Sequence, residues 1–265
     1  MIEKTDAIVL RIRPFSQTSH IVSWLSPKFG RFDTVVKGAC RRKSDFLGQY
    51  DLFYTCELLF YARKHNGLHI ARECSPMILR PGLRFGWKRA VAASYLAELA
   101  MRTVARDEHH YEVYNLLTTS CDFLEKNTIR PAFLFWAELK FMDTLGLSPQ
   151  LRKCVSCGEP CTPSKSYFFS AAEGGINCPK CMRIKNANAF TVPPDVLAML
   201  QHWQCSASPN GSINTRCSLS QLTTCNQLLG MFLIYHLDLG IMPKSREIAF
   251  EMLYAPDNFT QKEKK

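Results

Sequence analysis

Residues 151–181 read LRKCVSCGEPCTPSKSYFFSAAEGGINCPKC, and the other segments of the chain are arranged around this one. Cys154 and Cys157 have two residues between them, and after a further twenty residues Cys178 and Cys181 repeat the spacing. Zinc takes four ligands tetrahedrally, with thiolate sulfur about 2.3 Å from the metal. A two-residue spacer lets both sulfurs of a pair face one ion. Two such pairs fill the shell and leave no open position, which marks a structural site rather than a catalytic one. Gly158 suits the tight turn after Cys157. Cys161 stands at the wrong spacing. The competing reading is four reduced thiols that merely fall in two pairs.

The chain has 265 residues, enough for two domains with a core. It is 46% hydrophobic and 21% charged, which excludes a disordered polymer. No apolar run reaches the length of about 18 residues that a membrane span needs. The first residues, MIEKTD, lack the apolar core of a signal peptide, so a cytoplasmic protein is expected. In that compartment the twelve cysteines are read as thiols or metal ligands, not disulfides. Those outside the two knuckles are read mostly as small core residues.

The net charge of +10 is unevenly spread. Residues 1–80 hold 13 basic against 7 acidic side chains and residues 151–190 hold 6 against 2, while residues 81–150 and 191–265 are each balanced. Clustered cations gain by displacing counterions from phosphates, so a polyanionic partner is the expected reading. The bland alternative is that a basic balance only aids solubility.

In residues 7–13 apolar and polar side chains alternate, with Ile8, Leu10 and Ile12 on one face and Arg11 and Arg13 on the other. That predicts a half-buried strand. Further strands are expected over residues 20–25, 31–37, 51–63 and 68–74. Turn signals lie at residues 27–30 and at His65-Asn66-Gly67, and Ser75-Pro76 is read as the end of the sheet. Five short antiparallel strands suit a small closed barrel, which leaves no bare edge, and the OB-fold is the economical candidate. Between the third and fourth strands, Lys37, Arg41, Arg42 and Lys43 put four cations in seven residues. This loop is the candidate phosphate-binding site, with Lys28 and Arg31 on the preceding hairpin as its extension. Phe29, Phe32 and Phe46 interleave with these cations. They either stack on single-stranded bases or fill the barrel. Gly38, Arg42, Lys43 and Ser44 resemble the end of a phosphate-binding P-loop. Arg42 replaces the glycine needed before the lysine, so that reading fails.

From Pro81 the apolar spacing becomes helical. Helices are expected over residues 83–106, 110–126, 133–145, 193–202 and 218–239, the third apolar on most sides and therefore central. A short hairpin is expected inside the zinc segment, a polar loop over residues 204–216, a break at residues 240–243 and a frayed tail at residues 261–265. His236 is read as a satisfied core histidine. The fold class is therefore α+β: an OB-fold barrel (residues 1–80), a helical bundle (81–150 and 191–265) and a four-cysteine zinc module within it (151–190).

In this order the parts resemble the RecO family of bacterial recombination mediators, over essentially the whole length. The likeness is carried by AIVLR at residues 7–11, VKGACRR at 36–42, LGLSPQLRKCVSCG at 145–158, Phe169-Ser170, Gly174-Gly175 ahead of Cys178 and Cys181, and PKSR at 243–246. The resemblance implies binding of single- and double-stranded DNA and annealing of complementary strands. It implies joint action with RecR in loading RecA onto DNA coated by single-strand-binding protein, within RecF-type repair at the nucleoid. Lys37, Arg41 and Arg42 fall in the family's basic loop, so DNA contact is carried over to them. Family members also bind the acidic tail of single-strand-binding protein on the helical domain.

Two other classes compete. OB-folds and zinc modules serve RNA as readily as DNA, which would give an RNA-binding or transcription-linked adaptor. A metal nuclease needs clustered carboxylates or an open metal position, and a thiol catalyst needs a Cys–His pair assembled in space. Acidic residues are sparse near the basic loop and four thiolates saturate the zinc, so the expectation is a protein that is not an enzyme.

Overall fold

One long strand makes the barrel possible. The computed structural model describes residues 1–63, 68–106, 108–185 and 190–254. In it β1 runs over Ile2–Ser16, well beyond the residues whose alternation announced it. Its first half pairs with β4 (Thr55–Tyr61), from Ile2 opposite Tyr61 to Ile8 opposite Thr55. Its second half pairs with β2 (Ser19–Ser26), from Ile8 opposite Leu25 to Ser16 opposite Ser19. Two bulges, between Val9 and Arg11 and between Pro14 and Ser16, bend the strand between its partners. β3 (Gly30–Val36) pairs with β2 and, in parallel, with β5 (His69–Ile78). The order β1-β2-β3-β5-β4 closes on itself, as the OB-fold reading expects.

The first bulge also corrects how β1 was read. Ala7 and Val9 point into the barrel with Val22, Trp24, Phe32, Val36, Leu58 and Phe60, and Ile12 packs against the same cluster. Ile8 and Leu10 are buried on the opposite face, where α2 (Trp87–Thr103) packs on β1. One apolar face was expected; there are two. The sheet also continues past Ser75 and Pro76, which had been read as its end. Pro76 sits opposite Cys56, beside a register shift between Thr55 and Cys56, and a residue without an N–H is tolerated at such a bulge. β4 starts later than expected, because residues 51–54 form a turn in which the Tyr54 N–H donates to the Asp51 carbonyl at 3.0 Å. The hairpin turn expected at residues 65–67 and the tail at 261–265 lie outside the described residues.

The chain folds as two compact units, Met1–Asn127 and Thr128–Lys265. The first holds the barrel, a turn of helix α1 (Gly82–Phe85), α2 and α3 (Tyr111–Lys126). Gly86 separates α1 from α2 where one helix was expected. Arg80 fastens helix to barrel: its guanidinium donates to the Phe53 carbonyl at 2.6 Å, to Thr55 Oγ1 at 2.9 Å and to Asp122 on α3 at 2.6 Å.

The second unit is built on α4 (Ala132–Thr144), apolar on nearly every side and buried as expected. Around it stand α6 (Pro194–Cys205), α7 (Asn210–Asn214), α8 (Leu219–His236) and α9 (Lys244–Tyr254). The start of α8 is fixed by a capping box between Ser218 and Gln221. α7 replaces part of the expected polar loop. Its polar residues serve its own backbone: Ser212 Oγ donates to the Pro209 carbonyl at 2.6 Å and Thr215 Oγ1 to the Gly211 carbonyl at 2.9 Å. The sequence reading also missed α9, which carries Ala249 and Leu253, four residues apart, as its buried face.

Glu138 lies in the middle of α4 with no exposed surface. Arg246 of α9, 5% exposed, meets it with two hydrogen bonds of 2.6 and 3.1 Å, and also donates to Asn226 Oδ1 at 2.7 Å and to its carbonyl at 3.1 Å. Removing one partner of such a pair strands a buried charge. Arg246→Ala is therefore expected to destabilise the Thr128–Lys265 unit by about 3–5 kcal/mol. Denaturant unfolding would show it, and a loss below about 1 kcal/mol would remove the pair from the forces closing these helices.

Candidate functional site

The two knuckles are shaped by turns before any metal is considered. The Gly158 N–H donates to the Cys154 carbonyl at 2.8 Å, and Gly158 adopts the positive φ of 73° that the sequence anticipated. The Cys154 N–H donates to the Glu159 carbonyl at 2.9 Å. A hairpin of β6 (Tyr167–Ser170) and β7 (Gly175–Asn177), as expected, carries the chain to the second knuckle. The Val155 N–H donates to the Ile176 carbonyl at 2.9 Å, so the first knuckle is stitched to β7. The second knuckle continues into α5 (Pro179–Lys185), with Pro179 in its first turn. The sequence reading missed both α5 and β8 (Phe190–Val192), which pairs with β6.

The four ligand sulfurs of Cys154, Cys157, Cys178 and Cys181 all lie within 4.8 Å of one another. A tetrahedron with sulfur about 2.3 Å from its centre has edges of about 3.8 Å, and the Cys157 and Cys178 sulfurs are 3.9 Å apart. The donor set and its spacing therefore fit one metal ion. Cys161 stays out of the cluster, its thiol pointing at the Glu159 carbonyl. A second layer supports the sulfurs: the Cys178 N–H donates to Cys154 Sγ at 3.2 Å, and Ser156 Oγ donates to the buried Asn177 side chain at 2.5 Å. Asn177 in turn donates to Glu173. Sequence spacing gave no signal for Asn177 or Ser156, because their role depends on the fold of the hairpin.

The sulfurs differ in acidity. Burial disfavours a thiolate at Cys154, but the N–H groups of Cys178, Cys157 and Ser156 outweigh it and lower its pKa to about 6. Cys181 is pushed up to about 12, first by the hydrogen bonds it shares with Cys157 and Cys178. A metal must displace the protons that remain. Its affinity therefore rises with pH and falls on acidification.

The basic loop is a run of turns. Arg41 N–H donates to the Gly38 carbonyl and Ser44 N–H to the Arg41 carbonyl, both at 3.1 Å. The loop is tied to the β1–β2 connection through Cys40 N–H to the Thr18 carbonyl at 3.1 Å and Cys40 Sγ to His20 Nε2 at 3.2 Å. Lys37, Arg41, Arg42 and Lys43 are all exposed on it. The structure does not bring Lys28 to them. β3 is seven residues long and places Lys28 and Lys37 at opposite ends, about 20 Å apart. Lys28 instead reaches Glu3 at 3.1 Å and lies 4.6 Å over the Phe29 ring. Arg31 is half-buried and donates to the Val104 carbonyl at 3.1 Å. The phenylalanines fill the barrel: Phe32 stacks on Phe60 at 4.9 Å, Phe29 meets both edge-on, and Phe46 packs against the same core. His236 is satisfied, with Nε2 2.8 Å from the Ala171 carbonyl.

Family models match both parts of the chain. The model for the recombination protein O N terminal matches residues 1–78, and that for the recombination protein O C terminal matches residues 84–247. The chain belongs to the recombination protein O family. A relative from Alkaliphilus metalliredigens, called DNA repair protein RecO, is 29% identical over 240 residues, covering 90% of this chain and 95% of its own. One of the same name from Pelodictyon phaeoclathratiforme is 24% identical over 264 residues, 96% of this chain and 99% of its own. A third, from Roseiflexus, is 33% identical over 178 residues, 67% and 62% respectively. Two of the stretches that carry the likeness have visible structural duties here. Gly175 approaches Gln150 so closely that an added Cβ would lie 2.3 Å from its carbonyl oxygen, and Arg246 closes the buried pair with Glu138. No described helix is long and apolar enough to cross a membrane.

Metal-loaded protein is expected to lose its ion progressively on acidification, as protons compete for the four sulfurs. Cys154→Ser should lose metal and thermal stability at neutral pH, whereas Cys161→Ser should retain the metal. Metal content and melting temperature measured across pH would check this, and metal retained by Cys154→Ser would refute the ligand set.

Proposed function

We propose that this protein is a non-enzymatic DNA-binding mediator of recombinational repair, working in the cytoplasm at the nucleoid. The observation that carries the reading is the exposed cluster of Lys37, Arg41, Arg42 and Lys43 at the mouth of a closed barrel, in a chain of the recombination protein O family. Exposed cations on a loop hold phosphates without reading bases, so binding is to single- and double-stranded DNA alike. By neutralising phosphates, the same loop lowers the repulsion between complementary strands and favours annealing. Lys28 and Arg31 belong to the same basic barrel but engage DNA at the other end of β3. Its protein partners in this reading are RecR, single-strand-binding protein and, through them, RecA, which family likeness supports.

Zinc is the metal best suited to four thiolates with no open position. Cys154, Cys157, Cys178 and Cys181 would hold it, and it would supply folding energy rather than chemistry.

Replacing Arg41 and Arg42 together with Ala should weaken binding to mixed-sequence single strands and duplexes alike. Two lost phosphate contacts should flatten the slope of log affinity against log salt by about 1.4 for single strands and about 1.8 for duplexes. Fluorescence anisotropy titrations at several salt concentrations would measure this. Unchanged slopes would remove the loop from the DNA contacts. Strong preference for an RNA strand over the matched DNA strand would favour an RNA-binding role instead.

A further inference from the structure

The fold assembles a thiol and a base beside the basic loop. Cys40 stands in that loop between Ala39 and Arg41, and it is exposed. Its Sγ lies 3.2 Å from His20 Nε2. The other ring nitrogen of His20, Nδ1, lies 2.8 Å from the Tyr50 hydroxyl. A nucleophile, a base and a third group that orients the base therefore stand in one row within hydrogen-bond reach. Two distant points of the β3–β4 connection and the start of β2 supply the three residues.

The row is held from both sides. The Cys40 N–H donates to the Thr18 carbonyl at 3.1 Å and the Gly38 N–H to Ser19 Oγ at 3.3 Å, so the loop backbone is anchored beside His20. His20 itself lies in register between Pro14 of β1 and Val36 of β3. Its ring meets the Tyr50 ring edge-on at 6.2 Å, and Tyr50 packs against the barrel core. Burial first, and then the neighbouring thiols of Cys40 and Cys74, push the pKa of the Tyr50 hydroxyl above its usual value. Tyr50 thus stays uncharged and serves His20 as a hydrogen-bond partner. The other two exposed cysteines are placed differently: Cys157 belongs to the metal cluster, and Cys205 accepts from Arg152, a cation that takes up no proton.

The surroundings select what reaches the Cys40 thiol. Residues 37–43 hold four cations and no acid, and Lys37, Arg41, Arg42 and Lys43 are all exposed. Two acids follow in the same connection: Asp51 is paired with Arg84, and Asp45 stands exposed. The balance stays positive, so the surface attracts anionic reagents and repels cationic ones.

We propose that Cys40 is a modification site, which exchanges with acidic low-molecular-weight disulfides to form an adduct that loosens the hold of the loop on DNA. His20 Nε2 takes the thiol proton. The Cys40 sulfur attacks one sulfur of the reagent and forms a new S–S bond. The old S–S bond breaks, its electron pair leaves on the second sulfur, and that sulfur takes up the proton that His20 held. A thiol and a disulfide enter; a mixed disulfide and a thiol leave. The adduct sets carboxylates among cations that would otherwise face phosphates, and a free thiol removes it by the same exchange in reverse. The effect on DNA rests on the DNA-binding reading above; the exchange does not.

The test incubates metal-loaded, full-length wild-type protein, Cys40→Ser and His20→Gln with glutathione disulfide at neutral pH, beside cystamine as a cationic disulfide. Peptide mass spectrometry reads the adduct at Cys40. It should form faster with glutathione disulfide than with cystamine. His20→Gln keeps a polar side chain but no nitrogen able to take the proton, and it should slow the exchange roughly tenfold at an unchanged melting temperature. His20→Asn replaces it should the Gln variant not fold. Modified wild-type protein should lose about 0.7 from its single-strand salt slope for each phosphate contact displaced, about a fivefold weakening at 0.1 M relative to 1 M salt. Reduced glutathione should restore the slope, and Cys40→Ser should bind DNA equally before and after treatment. No adduct at Cys40, or one that formed as fast without the His20 ring, would overturn the site. Faster reaction with cystamine would overturn the preference for acidic reagents. A Cys40 adduct that left DNA binding unchanged would overturn the loosening. Untreated protein that bound no DNA would overturn the DNA-binding reading and leave the exchange, read by mass alone, standing.

Discussion

A single extra residue in β1 sets the chemistry of the barrel's two surfaces. Side chains alternate along a strand with a period of two, so a register slip of one exchanges inside for outside. Ala7 and Val9 face the barrel interior. Unbroken alternation from Val9 would aim Arg11 and Arg13 inward, among Trp24, Phe32 and Phe60. The bulge between Val9 and Arg11 absorbs one residue and resets the phase. Ile12 then packs inward, and the two arginines line a cleft on the outer face of the barrel. The same bend lets β1 leave β4 and join β2, which closes the sheet. Closure and the outward placement of charge are thus one event.

Buried charge is handled differently in the two units. In the first, Arg80 is 3% exposed and is held through Nε and one terminal nitrogen by a backbone carbonyl, a threonine hydroxyl and Asp122, while its other terminal nitrogen has no partner among the described residues. In the second, Glu138 would be an uncompensated charge in the most apolar helix of the chain but for Arg246, more than a hundred residues later in sequence. Such pairs contribute little net stability over an apolar replacement, yet they are intolerant of losing one member. Their effect here is to dictate which helix turn meets which. The four-cysteine cluster and the hydrogen bonds of Asn177 join the first knuckle to a hairpin of short strands, which such strands need because a lone hairpin is marginal in water.

What could be read from the sequence follows from how local each signal is. The knuckles were legible because a two-residue spacing is itself the geometry of the site. The strands were legible from alternation, and α4 from being apolar all round. The faces of β1 were misread because a bulge leaves no mark in the letters; Ile8, Leu10 and Ile12 alternate regularly in sequence and divide between two surfaces in space. Pro76 was taken as a stop because the partner strand's register shift, which accommodates it, lies twenty residues away. α9 was overlooked behind Pro243, although Ala249 and Leu253 stand at helical spacing. The phenylalanines beside the basic loop could have served bases or core. Only the stacking of Phe32 on Phe60 decides that they serve the core.

That last assignment has a consequence for recognition. Phe32 is 2% exposed, and Phe29 and Phe46 are partly buried against the barrel core, so these three rings are held by the interior. Phe15 of β1 is 55% exposed. It precedes the β1–β2 turn, whose Thr18 carbonyl accepts from Cys40 of the basic loop. Stacking contributes about 1–3 kcal/mol per base where it occurs, whereas counterion release is sensitive to salt and indifferent to sequence. A surface with four exposed cations and few exposed rings is suited to the second far more than to the first.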